Sequence, residues 1–463
     1  MNKKLPKMLA LIAAGCMTMS VGACSSPGAP SASGGSQTVS NDASANDNAK
    51  CQNTVKKDGV EKVTIWAWYP AFDKIVDNFN DTHDDVQLCW TKMPDGMTTY
   101  QKFSTAIKAK SGGPDIIQLG YDAMPQYVSG VEQHLIDLKQ FGAEKIKSDY
   151  TEGGWNSVTL GSDAVYGVPV DAGPFVMMYR KDIFDKYDVK VPTTWAEYEQ
   201  AGKELREKGF EGHIGNFEAN GTGWNLALFA QKTDDVYSYS ASNPEQVSIN
   251  FESEGVKSVL EYWQRLAKED VVATDDSFTA EWYKKIVDGS YASYVSASWV
   301  TGYIKGVSGA EEGSVWQVTK APVWDDSTPA VNYGGSGIAV TDQAKHTEKA
   351  AQVAMELFQD DKAQEIAVTD SGLFPTWVKK LDSDAFKNYE DEFFNNQKVN
   401  AVLAETAQGY QGYEYLPFQT YAFDEQTKAF TKAVKDGEDV SSTMTALDKT
   451  LSDYATQQGF TVK

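Results

Sequence analysis

Apolar positions along this chain switch period in a regular order. Residues 60–66 (VEKVTIW) alternate apolar and polar positions with β-branched residues, which predicts a strand. Phe72, Ile75, Val76 and Phe79 then recur at helical spacing. Residues 85–90 predict the next strand, Tyr100, Phe103 and Ile107 mark the helix after it, and 114–119 form a short apolar run typical of a buried strand. Strands alternating with helices predict an α/β protein with a parallel sheet covered on both faces. Ligands of such sheets sit beyond the carboxyl ends of the strands. The segments Trp66-Ala67-Trp68-Tyr69 and Gly120-Tyr121-Asp122 are therefore placed to line a cleft, with Trp66 continuing the strand alternation into the core.

Farther along, two apolar runs at 164–171 and 175–179 flank Asp171-Ala172-Gly173-Pro174, a break that predicts a bend or hinge. Thr194 followed by Glu197 forms a capping-box pattern and predicts a helix start, with Trp195 as a packing residue. Amphipathic helices are predicted near 256–268 and 347–359, and residues 421–454 read as helical. No internal repeat interrupts this order.

The N-terminus departs from the pattern. Lys3, Lys4 and Lys7 precede a short apolar run that closes on Val21-Gly22-Ala23-Cys24, the layout of an export signal over residues 1–23 with a cysteine directly after it. The run is short for a membrane span of about 20 apolar residues. From 25 to 50 the chain is Ser, Gly, Ala, Pro, Asn and Asp with no aromatic residue, too little apolar surface to offset the entropy of ordering. Residues 24–50 are predicted to be a flexible linker reaching on the order of 28 Å. Outside the signal and Cys24, Cys51 and Cys89 are the remaining pair, and an oxidising exterior predicts a bridge between them, with two buried thiols as the alternative.

Composition narrows the function. The net charge of −23 is made more negative still by removal of the signal lysines, which argues against nucleic acid or an anionic lipid surface as partner. Some of the 12 Trp and 23 Tyr must be core, but with so many acids they supply the materials for carbohydrate binding: ring faces stack on sugar C–H groups and carboxylates accept from hydroxyls. Enzyme patterns are missing. His83, His134, His213 and His346 are scattered, with no pair at metal-ligand spacing. There is no Walker A run and no G-x-S-x-G elbow, and Gly221-Thr222-Gly223 lacks the third glycine of a dinucleotide loop. A glycoside hydrolase is the hardest enzyme to exclude, because its two carboxylates carry no local motif.

The stretches Tyr166-Gly167-Val168-Pro169-Val170-Asp171, Met177-Met178-Tyr179-Arg180-Lys181-Asp182-Ile183-Phe184 and Pro192-Thr193-Thr194-Trp195-Ala196-Glu197 are together similar to the signature of family 1 extracellular solute-binding proteins, the sugar receptors of ABC importers. Supporting pieces follow in the family's order: Gly113-Pro114-Asp115-Ile116-Ile117, Ser298-Trp299, Gly334-Gly335 and Gly372-Leu373-Phe374-Pro375-Thr376. The resemblance implies a two-lobed periplasmic-binding-protein-like fold of type II, with a ligand cleft between hinged lobes. It implies an N-terminal lobe of residues 51–171 with 323–374 and a C-terminal lobe of 172–322 with 375–463, crossing near Asp171, Ala321-Pro322 and Phe374-Pro375. Asp122 matches a carboxylate that takes sugar hydroxyls, and Asp171 a hinge acid with the same role or, alternatively, a partner for Arg180. Trp299 and Phe423 resemble stacking rings, and Trp224 with Asn225 a further platform. Trp68 and Tyr69 rest on their place after a strand.

Val21-Gly22-Ala23-Cys24 resembles a bacterial lipobox, which implies that Cys24 is the lipidated first residue of the mature chain, and the family resemblance implies a monomeric receptor on the outer face of the cytoplasmic membrane. Its partners would be an oligosaccharide and the membrane subunits of an ABC permease, with no cofactor and no catalytic residue. A polyamine or other cationic ligand is the alternative within the fold. Cys24→Ala should release the protein from the membrane fraction with sugar affinity unchanged, as fractionation and calorimetry would record; retention in the membrane would point to Cys16 or to an uncleaved anchor.

Overall fold

The computed structural model describes residues 51–129, 133–233, 236–307 and 314–463; the predicted signal, Cys24 and the linker to residue 50 lie outside them. Alternation at Val63, Ile65 and Ala67 makes β1 (Glu61–Ala67), all three side chains being fully buried. α1 (Phe72–Thr82) follows and buries Phe72, Ile75, Val76 and Phe79, the stripe that its spacing predicts. β2 (Val86–Lys92), α2 (Gly96–Ala109) and β3 (Ile116–Gly120) complete the unit. β1 lies between β2 and β3 and is parallel to both. Such pairing needs a crossover between strands, and α1 and α2 supply it.

No turn interrupts the chain at Asp171–Pro174, the predicted bend or hinge. The two apolar runs form one continuous strand of 13 residues, β4 (Val168–Arg180), whose partners change along its length. Its first part pairs antiparallel with the strand Asn332–Val340, through Val168↔Ile338, Asp171↔Ser336 and Pro174↔Asn332, and with the short strand Phe374–Pro375 at Asp171 and Ala172. From Phe175 onward it pairs antiparallel with Ser293–Ala297 and Trp316–Lys320. Pro174 has no N–H to give to a ladder, and it stands where one set of partners ends and the next begins. Two-residue alternation sends Phe175 and Met177 into the main core and Val176 and Met178 into a second core, with Trp282, Tyr294 and Trp316.

The segment around Ala321–Pro322, where a crossing is expected, is held by a set of contacts. Gln231 Nε2 donates to Pro322 O at 3.1 Å, Val323 bridges to Thr194, and Trp324 packs edge-on against Tyr262 at 5.2 Å. These contacts keep the segment beside the helix Trp195–Glu207, whose capping box at Thr194 and Glu197 is formed as predicted. Within Asn332–Val340 the register against β4 shifts twice, between Asn332 and Gly335 and between Ser336 and Gly337. The C-terminal helical stretch is likewise divided. Gln419–Phe430 runs into a π turn at Thr431–Lys435, and Gly437 at φ +74° separates it from Val440–Gln457.

Cys51 and Cys89 form a disulfide that ties the start of the described chain to β2, where Gln52 N also donates to Trp90 O at 2.8 Å. Among the described residues no helix is long and apolar enough to cross a membrane. The bridge closes a loop of 38 residues. Cys89→Ser should therefore lower the unfolding free energy in urea by about 2–4 kcal/mol.

Candidate ligand cleft

The ends of β1 and β3 bring their following segments together. Trp68 N donates to Gln118 Oε1 at 2.8 Å, and its half-buried ring meets the edge of Tyr100 at 5.9 Å. The Tyr100 hydroxyl in turn accepts from Gly120 N at 2.9 Å, which ties α2 to the turn carrying Asp122. A Cβ at position 120 would stand 2.3 Å from Asp122 Oδ1, so glycine is required there. Asp122 does not cap the short helix Met124–Tyr127, whose start lies at Ala123 without a side-chain cap. Asp122 is half-buried as a residue, and desolvation pushes its pKa up to about 6 against the nearby N–H groups of Asp122 and Ala123. Tyr333 and Tyr415 both lie within reach of its field.

Asp171 occupies the changeover of β4 and is buried, at 6% exposure. Its Oδ1 accepts from Ser336 N at 3.1 Å and from the Ser336 hydroxyl. Tyr69 OH shares that hydroxyl at 2.8 Å, and Tyr121 OH donates to Asp171 O at 3.0 Å. Arg180 is not its partner. The Arg180 guanidinium is held in a two-point bond by Asp182, at 2.8 and 2.6 Å. Desolvation pushes Asp171 up to about 7, since the donors around it are neutral. Tyr69 and Asp171 thus form a buried latch behind the cleft wall. Gly335, at φ +103°, makes room for it: a Cβ there would lie 2.7 Å from Tyr121 Cε2 and 2.8 Å from Asp171 O.

On the opposite wall, Trp299 follows the strand Ser293–Ala297. Its Nε1 donates to Tyr333 O at 3.0 Å, its ring meets Tyr333 at 5.1 Å, and it borders an opening of about 650 Å³ that Pro70 and Gly372 line from the other side. Trp224 takes no part in this wall. It is 1% exposed, its Nε1 donates to Val295 O at 2.6 Å, and its ring is enclosed by Phe217 and Trp263. Asn225 is a local clamp: fully buried, it donates through Nδ2 to Glu218 O at 2.7 Å and Gly221 O at 3.0 Å. These two sequence-based assignments are corrected to core residues, because neither offers a surface to a ligand. Phe423 sits half-buried on the helix Gln419–Phe430 against the main core.

Sequence reasoning missed Glu218 and Tyr333. Glu218 follows the short strand Gly215–Asn216, the same strand-end signal that located Asp122, but two residues leave no periodicity to read. It is fully buried, Tyr294 OH donates to its Oε1, and its Oε2 has no hydrogen-bond partner. Desolvation pushes its pKa up to about 7. Tyr333 lies over Gly223, where a Cβ would come within 2.7 Å of its ring, and within reach of both the Glu218 and Asp122 charges. The cleft is therefore lined by the half-buried rings of Trp68, Trp299 and Tyr333 with the half-buried Asp122 beside them, while Asp171 and Glu218 are buried; ring faces and a carboxylate acceptor suit a hydroxyl-rich ligand. No group of three or more His, Cys, Asp or Glu among the described residues could hold a metal ion.

Comparison with known proteins places this geometry. Residues 74–395 match the family model described as bacterial extracellular solute-binding protein. An arabinooligosaccharide-binding protein of Halalkalibacterium halodurans is 24% identical over 361 residues, spanning 75% of this chain and 78% of that protein. A lactose-binding protein of Rhizobium radiobacter is 25% identical over 358 residues, spanning 73% and 80%. In structure, the chain is similar to the ABC-transporter-associated binding protein of B. animalis subsp. lactis Bl-04 in complex with β-1,6-galactobiose, with a TM-score of 0.73 and 28% identity over 87% of this chain and 100% of that one.

Glu218 makes a distinct mark on stability. Its folded pKa of about 7 stands above the ordinary 4.5, so the folded state binds more protons; the contribution is complete below 4.5 and is lost as pH rises through 7. That displacement corresponds to about 3 kcal/mol. Glu218→Gln should flatten the fall in unfolding free energy between about pH 4 and pH 8 by that amount in urea titrations; an unaltered profile would show that Glu218 is not buried as an acid.

Proposed function

The chain belongs to the bacterial extracellular solute-binding proteins, and on that footing we propose that it captures an oligosaccharide in a cleft between two lobes and delivers it to the permease of an ABC importer. It is a binding component and makes or breaks no bond. The observation that carries the sugar reading is Asp122, half-buried and within reach of Tyr333, whose ring meets that of Trp299 at 5.1 Å. Rings stack on the sugar faces, the carboxylate and tyrosyl hydroxyls bond its hydroxyl groups, and closure removes water from both. The relatives that bind arabino-oligosaccharide, lactose and β-1,6-galactobiose support the same class. No feature of the cleft favours a polyamine over a sugar.

The lobes are assigned as residues 51–171 with 336–374, and 172–333 with 375–463. Support comes from the change of partners along β4, and from the register break at Gly334–Gly335. Asp171 and Tyr69 steady the hinge rather than touch ligand. The receptor acts as a monomer held at the outer face of the cytoplasmic membrane through a lipid on Cys24, with residues 25–50 as tether; the run from Lys3 to Cys24 supports the anchor. A tether of that kind keeps the receptor near its permease by raising effective concentration.

Calorimetry on residues 51–463 with lactose, β-1,6-galactobiose, arabino-oligosaccharides and spermidine tests the reading. One of the neutral sugars should bind at a single site. Asp122→Ala and Trp299→Ala should each weaken that binding at least about tenfold, with stability lowered by no more than ~1–2 kcal/mol. Binding of spermidine with no response to any neutral sugar would overturn it.

A further inference from the structure

Phe278 holds φ +61°, a left-handed conformation that a bulky residue keeps only where its surroundings impose it. It lies in the loop that leaves the strand Val272–Ala273 and enters the helix Ala280–Val287. Its ring packs on Trp282 at 5.0 Å and stacks behind Trp299 at 5.9 Å. Trp299 is thus set between Phe278 at its back and the bond from its own Nε1 to Tyr333 O at 3.0 Å.

Two asparagines impose the conformation of the loop. Asn216 accepts at Oδ1 from Asp275 N at 2.8 Å and donates through Nδ2 to Asp275 O at 2.9 Å. Asn220 does the same for Ser277: its Oδ1 accepts from Ser277 N at 3.1 Å and from the Ser277 hydroxyl at 3.2 Å, and its Nδ2 donates to Ser277 O at 3.3 Å. Each amide thereby engages both backbone groups of one loop residue, as a strand partner would. The Asp275 carboxylate is fixed further by Lys285 Nζ at 2.7 Å and Tyr291 OH at 2.6 Å, and Thr279 Oγ1 caps the next helix by accepting from Trp282 N at 3.1 Å. Phe278 is therefore strained between two anchored neighbours. Asn216 is buried with the fold, but Asn220 is exposed, where water would satisfy its amide without any bond to the loop.

We propose that Asn220 is a positioning residue for ligand binding: by clamping Ser277 it keeps Phe278 in its left-handed conformation, and so holds the Trp299 ring in the orientation that a ligand meets. Its effect on affinity rests on the sugar reading above. A ring already held in place loses little freedom when ligand arrives. One that adopts the orientation for only part of the time binds more weakly by that fraction. Without the clamp the loop relaxes to ordinary φ values, and the Phe278 ring leaves the back of Trp299.

Two measurements test this. In proton–nitrogen NMR spectra of the ligand-free protein, Trp299→Phe identifies the Trp299 indole N–H by the signal it removes. Asn220→Ala should shift or broaden that signal and speed its exchange with solvent. In calorimetry, Asn220→Ala should weaken the sugar that the wild type binds by about three- to tenfold. In the Trp299→Ala background the same change should cost less than about twofold, because no ring remains to be positioned. Should Asn220→Ala fail to fold, Asn220→Asp, which keeps the accepted bonds and loses the donated one, is read in the same way. An indole signal that does not move, or an equal loss of affinity with and without Trp299, overturns the inference and leaves Asn220 a structural residue. If the wild type binds no neutral sugar, the sugar reading falls, and the indole signal, recorded without ligand, decides the clamp by itself.

Discussion

Everything in the described fold hangs on β4. A strand of 13 residues is long enough to pair with Asn332–Val340 and Phe374–Pro375 over one half and with Ser293–Ala297 and Trp316–Lys320 over the other. Continuous backbone across the changeover makes the join stiff, while the lost donor at Pro174 and the register break at Gly334–Gly335 keep the two ladders from merging into one flat sheet. A buried carboxylate is set at that junction. Asp171 holds Ser336 of the neighbouring strand through both its N–H and its hydroxyl, and Tyr69 and Tyr121 close around the pair. Buried polar networks of this kind are costly when broken, which fixes the relative register of the strands that cross.

The same junction explains the electrostatics of the cleft. The chain is strongly acidic overall, with a net charge of −23, yet the carboxyls near the site are those for which ionisation is hardest. Asp122, Asp171 and Glu218 are raised to about 6, 7 and 7 by desolvation, with neutral hydroxyl and amide donors around them. A site for a neutral polyol needs acceptors and ring faces, and this cleft supplies both.

Much of the fold could be read along the chain, and the reasons are local. β1, α1, β2, α2 and β3 follow from their periodicities, and the capping box at Thr194 and Glu197 needs only four consecutive residues. The errors came where a local signal had two tertiary meanings. Asp171-Ala172-Gly173-Pro174 carries turn residues, but in a strand that changes partners the same residues are tolerated without a turn. Trp224 and Trp299 are both tryptophans beside glycine or serine; the first is enclosed by Phe217 and Trp263, and the second is left half-open because Phe278 covers only one of its faces. Tyr333 belongs to the cleft only because Gly223, far away in sequence, lacks a side chain beneath it.

The sequence by itself determined the α/β order, the core stripe of each helix and the position of Asp122 after β3, because each depends on spacing along the backbone; it offered Cys51 and Cys89 as a pair, and the fold joined them. Tertiary structure alone decided which aromatic rings are core and which are wall, that Asp171 latches Ser336 rather than Arg180, and that Glu218 is buried with one oxygen unpartnered. Those outcomes depend on what arrives from distant parts of the chain to cover a side chain. No period in the sequence carries that information.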